Sequence, residues 1–439
     1  MTQPTPGGNV VDRRMALARE WDDLVEQVRR LDGFEDFLRP PRLENLLPAA
    51  AHGPVAIINV SRWRCDALLV RPGGVTAQPL ASLSLADATD RANDYLAVLH
   101  DAELADLEHV QAQVAVPGES AHGAARRRLK ADRAVEAAHE RVDTMLHDLQ
   151  DWMWRTIAEP VLEALGFTAT PGGDPATWPR LWWCPTGPLT LLPLHTAGDH
   201  VGAVGGDTPA RTVLDRVVSS YTPTLRALLE ARRPDDPQGP ARGRDRLLLV
   251  DVPDAPGQIP LDTTTERAAL LAAFPEGRRT VLDRDAATRA EVRAALPEHR
   301  WVHFSCHGDQ DLKDPSRGGL VLRDATLTIA DVTEGRFHGD FAGLSACKTA
   351  VGGVDLLDEA ITLAAAMHYT GYRHVVAALW SVDNRTSSEV FADLYRTIAT
   401  DGRIEPDRAP AALHRVVREQ RDRHPAWPHR WTPFAHTGP

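Results

Sequence analysis

Two residues in this sequence stand where nucleophilic chemistry can be done. His307 lies in the block WVHFSCHGD, residues 301–309, and Cys347 in FAGLSACKTA, residues 341–350. Each follows a short apolar run, 301–306 and 341–346, of the kind shown by parallel strands covered on both faces. In open α/β sheets the reactive groups gather just past the carboxyl ends of such strands. If the two runs are neighbouring strands, about 4.8 Å apart, His307 and Cys347 can meet at one sheet edge. An imidazole placed there lowers the thiol's pKa and later protonates a leaving amine. Gly308 follows His307 directly, so its backbone N–H can approach a substrate carbonyl with no side chain in the way. With the N–H of Cys347 it would form an oxyanion hole.

Other chemistries fit the same residues less well. His303, Cys306 and His307 invite a zinc reading, but on a strand the two histidines stand roughly 13 Å apart. Zinc needs each nitrogen within about 2.1 Å of itself. Strand alternation sends Cys306 to the face opposite His307, which leaves Cys347 as the nucleophile and His303 as a core or supporting group. Ser345 in GLSAC lacks the second glycine of a G-x-S-x-G elbow, and the chain has no phosphate loop of the G-x-x-x-x-G-K-[ST] type. Cys306 and Cys347 at adjacent strand ends also allow a redox-sensing thiol.

The spacing of apolar residues predicts the elements that must carry these groups. Met15, Leu17, Trp21, Leu24, Val25, Val28 and Leu31 fall at helical spacing before Gly33, which predicts a helix over 13–31 packed on the domain that follows. Strands are expected over 55–60, 67–70 and 75–80, the last two joined at RPGG. Helices over 85–107 and 121–165 come next. The basic run RRRLK, 126–130, sits among acidic neighbours in the second helix and reads as a solvated face. Residues 180–184 read as a strand, 185–198 as a Pro-punctuated hairpin holding a structural His195, 213–219 as a strand and 222–232 as a helix.

RRPDDPQGPARGRD, residues 232–245, is the clearest linker. Beyond it, strands at 246–250, 280–282, 301–306, 341–346 and 374–380 alternate with helices at 264–273, 286–296, 356–369, 386–400 and 409–424. A hairpin spans 319–329, and a short strand lies at 434–435. This alternation implies a parallel sheet with right-handed crossovers. The expected organisation is a helix and connector over 1–44, an α/β half over 45–233, a linker over 234–245 and a second α/β half over 246–439.

The totals narrow the function classes. A formal net charge of −12 gives no support to a nucleic-acid-binding surface. Four cysteines in 439 residues fit a reducing compartment without a disulfide framework. The first residues carry no apolar signal core and no run approaches about 18 apolar residues, so a cytoplasmic location with no membrane contact is expected.

HFSCHGD and LSACKTA, followed by DEAITLAAAMHYTGYRHVVAALWSVDN and the closing WPHRWTPFAHTGP, resemble the CHAT family of caspase-like cysteine peptidases, in the same clan as caspases and separases. The likeness implies a caspase-like α/β/α sandwich with a mostly parallel sheet, preceded by a degenerate pseudo-protease half that buttresses it. It implies His307 and Cys347 as the catalytic dyad of a cysteine endopeptidase that needs no metal or organic cofactor. It also implies cleavage of a dedicated protein substrate, switched on by an activating protein partner, in bacterial defence, programmed cell death or signalling. The alternative is a catalytically silent scaffold that binds protein partners; the presence of His307, Gly308 and Cys347 together favours the enzyme.

In the caspase clan a substrate pairs with the segment after the last core strand, here LWSVDN, residues 379–384. The likeness therefore implies Trp380, Ser381 and Asp383 as substrate-binding positions, with Asp383 attracting Arg or Lys before the cut. Ser345 joins them at a place where several basic-specific clan members have Asp. On this reading reporters with Arg or Lys before the scissile bond are cleaved fastest, and Asp383→Ala cuts their turnover by about tenfold or more without lowering the melting temperature. Equal cleavage of all reporters would count against the basic pocket.

Overall fold

The structure, a computed structural model, describes residues 8–31, 37–203, 211–233, 244–309, 314–335, 337–346, 362–380 and 384–439. Residues 1–48 form one compact unit and residues 49–439 another. The first unit holds helices α1 (Gly8–Arg29) and α2 (Leu43–Leu46).

The second unit begins with an antiparallel meander, β1 (Val55–Asn59), β2 (Asp66–Arg71) and β3 (Gly74–Pro79). Two long helices follow, α3 (Leu85–Gln113) and α4 (Ala121–Met153), capped by Ser84 and Ser120, whose hydroxyls accept the N–H groups of Asp87 and Gly123. The helix expected to run unbroken to 165 instead widens into a π turn at Trp154–Ala158 before α5 (Glu159–Leu165). Pro160 has no N–H to continue the ladder, and one extra residue per turn absorbs the mismatch. Then come β4 (Arg180–Pro185), α6 (His200–Ala203), β5 (Val218–Tyr221) and α7 (Leu225–Ala231).

Two expectations in this half fail. Residues 185–198 are not a hairpin but two buried 3-10 turns, Gly187–Leu191 and Leu194–Thr196, because Pro188 and Pro193 cannot donate to a ladder. Residues 213–219 are not one strand: Thr212 caps a 3-10 turn at Val213–Asp215, and β5 starts only at Val218.

The remainder runs β6 (Arg244–Asp251), α8 (Thr264–Ala273), β7 (Arg279–Asp283), α9 (Arg289–Ala295), β8 (His299–Ser305), β9 (His307–Asp309), β10 (Gly319–Val321), β11 (Thr326–Thr328) and α10 (Ile329–Glu334). After these come β12 (Phe341–Ser345), α11 (Leu363–Tyr369), β13 (His374–Ala378), α12 (Asn384–Ile398), a small hairpin of β14 (Ala399–Thr400) and β15 (Arg403–Ile404), α13 (Ala409–Arg423) and β16 (Phe434–Thr437). The early part of the expected helix 356–369 lies outside the described residues, and the strand expected over 374–380 stops at Ala378.

Eleven strands form one sheet in the order β3-β2-β1-β4-β5-β16-β13-β12-β8-β6-β7. Strands β1, β4, β5 and β16 run parallel to one another, as do β13, β12, β8, β6 and β7. The two blocks meet where β13 and β16 pair antiparallel. The chain is therefore an α/β protein with a mostly parallel sheet, as expected. Alternation divides the second block between two cores. Val302, Phe304, Ala342 and Leu344 face one core, with Leu363 and Met367 of α11. Trp301 and Phe341 face the other, with Leu270 of α8, Phe391 and Tyr395 of α12 and Val417 of α13. Each such side chain, fully buried, contributes about 1.5–3 kcal/mol. Among the described residues no helix is long and apolar enough to cross a membrane.

A buried ion pair ties the turn before β5 to α13. Arg421 donates to Asp215 at 2.6 and 3.1 Å and Arg418 donates at 2.9 Å. Burial alone would raise the Asp215 pKa, but the hydrogen bond and charge of Arg421, with Thr212 and Arg418, outweigh it and hold the carboxyl at about 2. Because that lies below the unfolded value of about 3.9, the stabilisation is complete above pH 4 and is lost as pH falls toward 2. Asp215→Asn should lower the unfolding free energy near neutral pH by about 3–5 kcal/mol in denaturant titrations. The gap from the parent should narrow as the pH drops through that window.

Candidate functional site

Strand β8 pairs parallel with β12, in a register that sets Trp301 against Phe341, His303 against Gly343 and Ser305 against Ser345. The two runs that carry the candidate chemistry are thus neighbours, and both end at the same sheet edge. Asp251 of β6 and Asp283 of β7 end there too, bridged by Arg267 of α8 at 2.5 and 3.0 Å.

His307 follows β8 after the single residue Cys306 and opens β9, a strand the sequence reading missed. The three residues of β9 pair antiparallel with β10: His307 with Val321, Gly308 with Leu320 and Asp309 with Gly319. Three residues between Cys306 and the polar run QDLK carry too little periodicity to announce a strand. The partner strands are fixed from behind, since β11 leads into α10 through a capping box in which the Thr328 hydroxyl and the Asp331 carboxylate serve each other's N–H groups. Asp331 also accepts from Arg293 at 2.7 Å and from Arg289, which fastens α10 to α9. His307 and Gly308 therefore sit on an anchored strand, both half-buried.

The imidazole of His307 is oriented by the loop between β6 and α8. Nε2 lies 2.7 Å from the carbonyl oxygen of Ile259. A carbonyl only accepts, so Nε2 carries the proton and Nδ1 holds the lone pair of the neutral ring. That loop is itself tied down: Leu261 N–H donates to Pro253 O at 2.8 Å, Thr263 Oγ1 donates to Asp251 at 2.9 Å, and Arg284 bridges to Asp254 at 3.2 Å. Burial lowers the pKa of His307, and the hydrogen bond to Ile259 offsets this only in part. The ring is thus a neutral base at pH 7, able to take a proton on Nδ1.

The other expected site residues fall as follows. Ser345 ends β12, half-buried, with its hydroxyl 3.1 Å from that of Ser387 in the first turn of α12. Ala346 is buried; Cys347 comes next and lies outside the described residues, as do Ser381 and Asp383. Trp380 is 3% exposed, its ring edge-on to Tyr95 of α3 with centroids 5.6 Å apart. His195 is buried, Nδ1 2.9 Å from the Tyr221 hydroxyl. Cys306 is 1% exposed and belongs to the core opposite α12. Among the described residues no three His, Cys, Asp or Glu side chains converge as metal ligands.

Sequence reasoning did not find the Ile259 carbonyl, a backbone group with no residue signature. It also did not find Glu266 and Tyr395, which flank the buried His303. One signal was available, since Gly343 breaks an otherwise apolar strand. A Cβ there would press on the Tyr395 hydroxyl and stand 2.8 Å from His303 Nδ1.

The depressed pKa can be read directly. In 15N-imidazole NMR, His307 should titrate below the ordinary value of about 6.5 and stay the Nε2–H tautomer above its midpoint. The activity of any reaction using it as a base should then fall only on the acid side of that midpoint. A midpoint at or above 6.5 would contradict the burial argument.

The sequence pattern of the CHAT domain matches residues 147–439, about two thirds of the chain. No curated protein matches the sequence. Among solved structures the fold is similar to chains in two crystal structures of the Saccharomyces cerevisiae separase–securin complex. One, at 2.6 Å resolution, has TM-score 0.53 and 9% identity, over 90% of this chain and 31% of that one. The other, at 3.0 Å, has TM-score 0.54 and 10% identity, over 90% and 30%. The chain thus spans about a third of the length of those it resembles, and the likeness is one of fold, caspase-like. Because the sequence-pattern match covers residues 147–439, about two thirds of its length, this chain belongs to the CHAT domain family.

Proposed function

We propose that the protein is a cysteine endopeptidase in which His307 and Cys347 form the catalytic dyad. The observation that carries this reading is the state of His307: a half-buried imidazole opening β9, just past the end of β8, with Nε2 committed to the Ile259 carbonyl and Nδ1 left as the base. It stands at the edge toward which β12 runs immediately before Cys347. In the reaction Nδ1 takes the thiol proton and the thiolate attacks the carbonyl carbon of the scissile peptide. The imidazolium then protonates the leaving amine, and water hydrolyses the thioester. The N–H groups of Gly308 and Cys347 stabilise the oxyanion.

The substrate is a protein segment laid against residues 379–384, with Asp383, Ser381, Trp380 and Ser345 around the residue before the cut. In this reading the half spanning 45–233 buttresses the catalytic half spanning 246–439, across the linker 234–245. Cleavage is controlled by a protein partner, as the separase–securin complexes suggest by analogy. The setting is cytoplasmic, in bacterial defence, programmed cell death or signalling.

Treatment of the purified protein with an Arg-bearing peptidyl acyloxymethyl ketone, followed by peptide mass mapping, tests the dyad. Modification should fall on Cys347 and drop by about 100-fold or more in His307→Ala. Labelling confined to Cys306 would name the wrong thiol. None at all, with host lysate added and other warheads tried, would favour the silent scaffold.

A further inference from the structure

Beneath the edge lies a polar layer that the dyad does not use. On the face of β8 and β12 packed against α8 and α12, the residues at the amino ends are apolar, Trp301 and Phe341. Farther along the same face, the composition changes to His303, Ser305, Gly343 and Ser345. His303 is fully buried. Its Nδ1 lies 2.8 Å from the Tyr395 hydroxyl, and its Nε2 lies 3.0 Å from Ser305 Oγ and 3.5 Å from Glu266 Oε2. Glu266, 1% exposed, donates its backbone N–H to Ser388 Oγ at 3.1 Å. One residue earlier on α12, Ser387 meets Ser345.

These contacts join β8 to α8, β8 to α12, α8 to α12 and α12 to β12. They sit at the carboxyl ends of the two strands that lead to His307 and Cys347, and not in the middle of the sheet. Apolar side chains would have filled the same space without demanding partners. The hydrogen bonds from His303 to Tyr395 and Ser305 favour one arrangement of these side chains, with Glu266 Oε2 buried beside them and making no hydrogen bond. Gly343 is part of that arrangement, because any side chain there would drive Tyr395 from His303.

We propose that His303 is a positioning residue, held by Tyr395 with Glu266 beside it, which through Ser305 fixes the strand end that presents His307 opposite the end of β12. This rests on the reading of His307 and Cys347 as a dyad. His303 touches no reacting atom in this account. Misplacement of a general base by a fraction of an ångström is enough to depress its chemistry.

The test compares the parent with Tyr395→Phe, His303→Leu, His303→Gln and His307→Ala. Three quantities are measured: the pH dependence of Cys347 alkylation by iodoacetamide, the His307 imidazole titration by NMR, and thermal unfolding. Tyr395→Phe and His303→Leu should slow alkylation near neutral pH by about tenfold to a hundredfold and move the His307 midpoint toward the ordinary value. His303→Gln, which keeps a donor and an acceptor, should recover most of the rate. Equal losses in the Gln and Leu variants, tracking lost folded protein, would make the layer merely structural and overturn the proposal. If His307→Ala leaves the alkylation profile unchanged, the dyad reading has failed instead. Positioning is then judged on the His307 midpoint alone: a shift in Tyr395→Phe and His303→Leu sustains it, and an unmoved midpoint overturns it.

Discussion

The parallel pairing of β8 with β12 is the constraint on which the rest depends. Five residue pairs from Trp301–Phe341 to Ser305–Ser345 lock the two strands in one register. A slip of β8 by one residue would turn that strand over, sending Val302 and Phe304 toward α12 and His303 into the opposite core. The register therefore fixes which side chains reach the carboxyl edge and which core each supports. It also sets the polar layer beneath that edge, since Gly343 has to stand beside His303 for Tyr395 to fit.

A second constraint acts at the seam between the two parallel blocks. β16, near the end of the sequence, pairs with β5 from the first block and β13 from the second. Buried side chains reinforce this join: Ser220 Oγ lies 2.8 Å from His436 Nδ1, and His436 Nε2 lies 3.1 Å from His374 Nδ1. Burial holds both histidines below their ordinary pKa, so the join is made by neutral imidazoles. Trp182 Nε1 donates to the Gly438 carbonyl at 2.8 Å from the far side. The single sheet makes the first block a structural extension of the second, which gives the edge at β8 and β12 a rigid flank.

The candidate site shows how three separate contributions set one imidazole. β9 fixes the backbone of His307 by pairing with β10, the loop before α8 supplies the carbonyl that chooses its tautomer, and burial keeps it neutral. The pairing strand β10 and the Ile259 carbonyl both lie outside the motif that names the residue. Functional groups on the ends of rigid strands, with orientation supplied by loops, are the general solution in α/β sheets.

The sequence by itself determined the elements that rest on local pattern. The apolar runs before His307 and Cys347 read as buried strands, helix α8 was placed residue for residue, and the alternation beyond the linker pointed to a parallel sheet. Those signals are periodic and need no partner to be legible. Prolines misled the reading between 185 and 198, and Pro160 widened a helix, because a missing N–H is resolved by whatever packing surrounds it. Only the tertiary structure decided that β16 joins the two blocks and that β9 exists. The same holds for the Ile259 carbonyl beside His307 and for the grouping of Glu266, His303 and Tyr395 from three elements. The physical reason is common to all four. Each depends on contacts between residues distant in sequence, and a backbone carbonyl or a three-residue strand leaves no mark in composition or spacing.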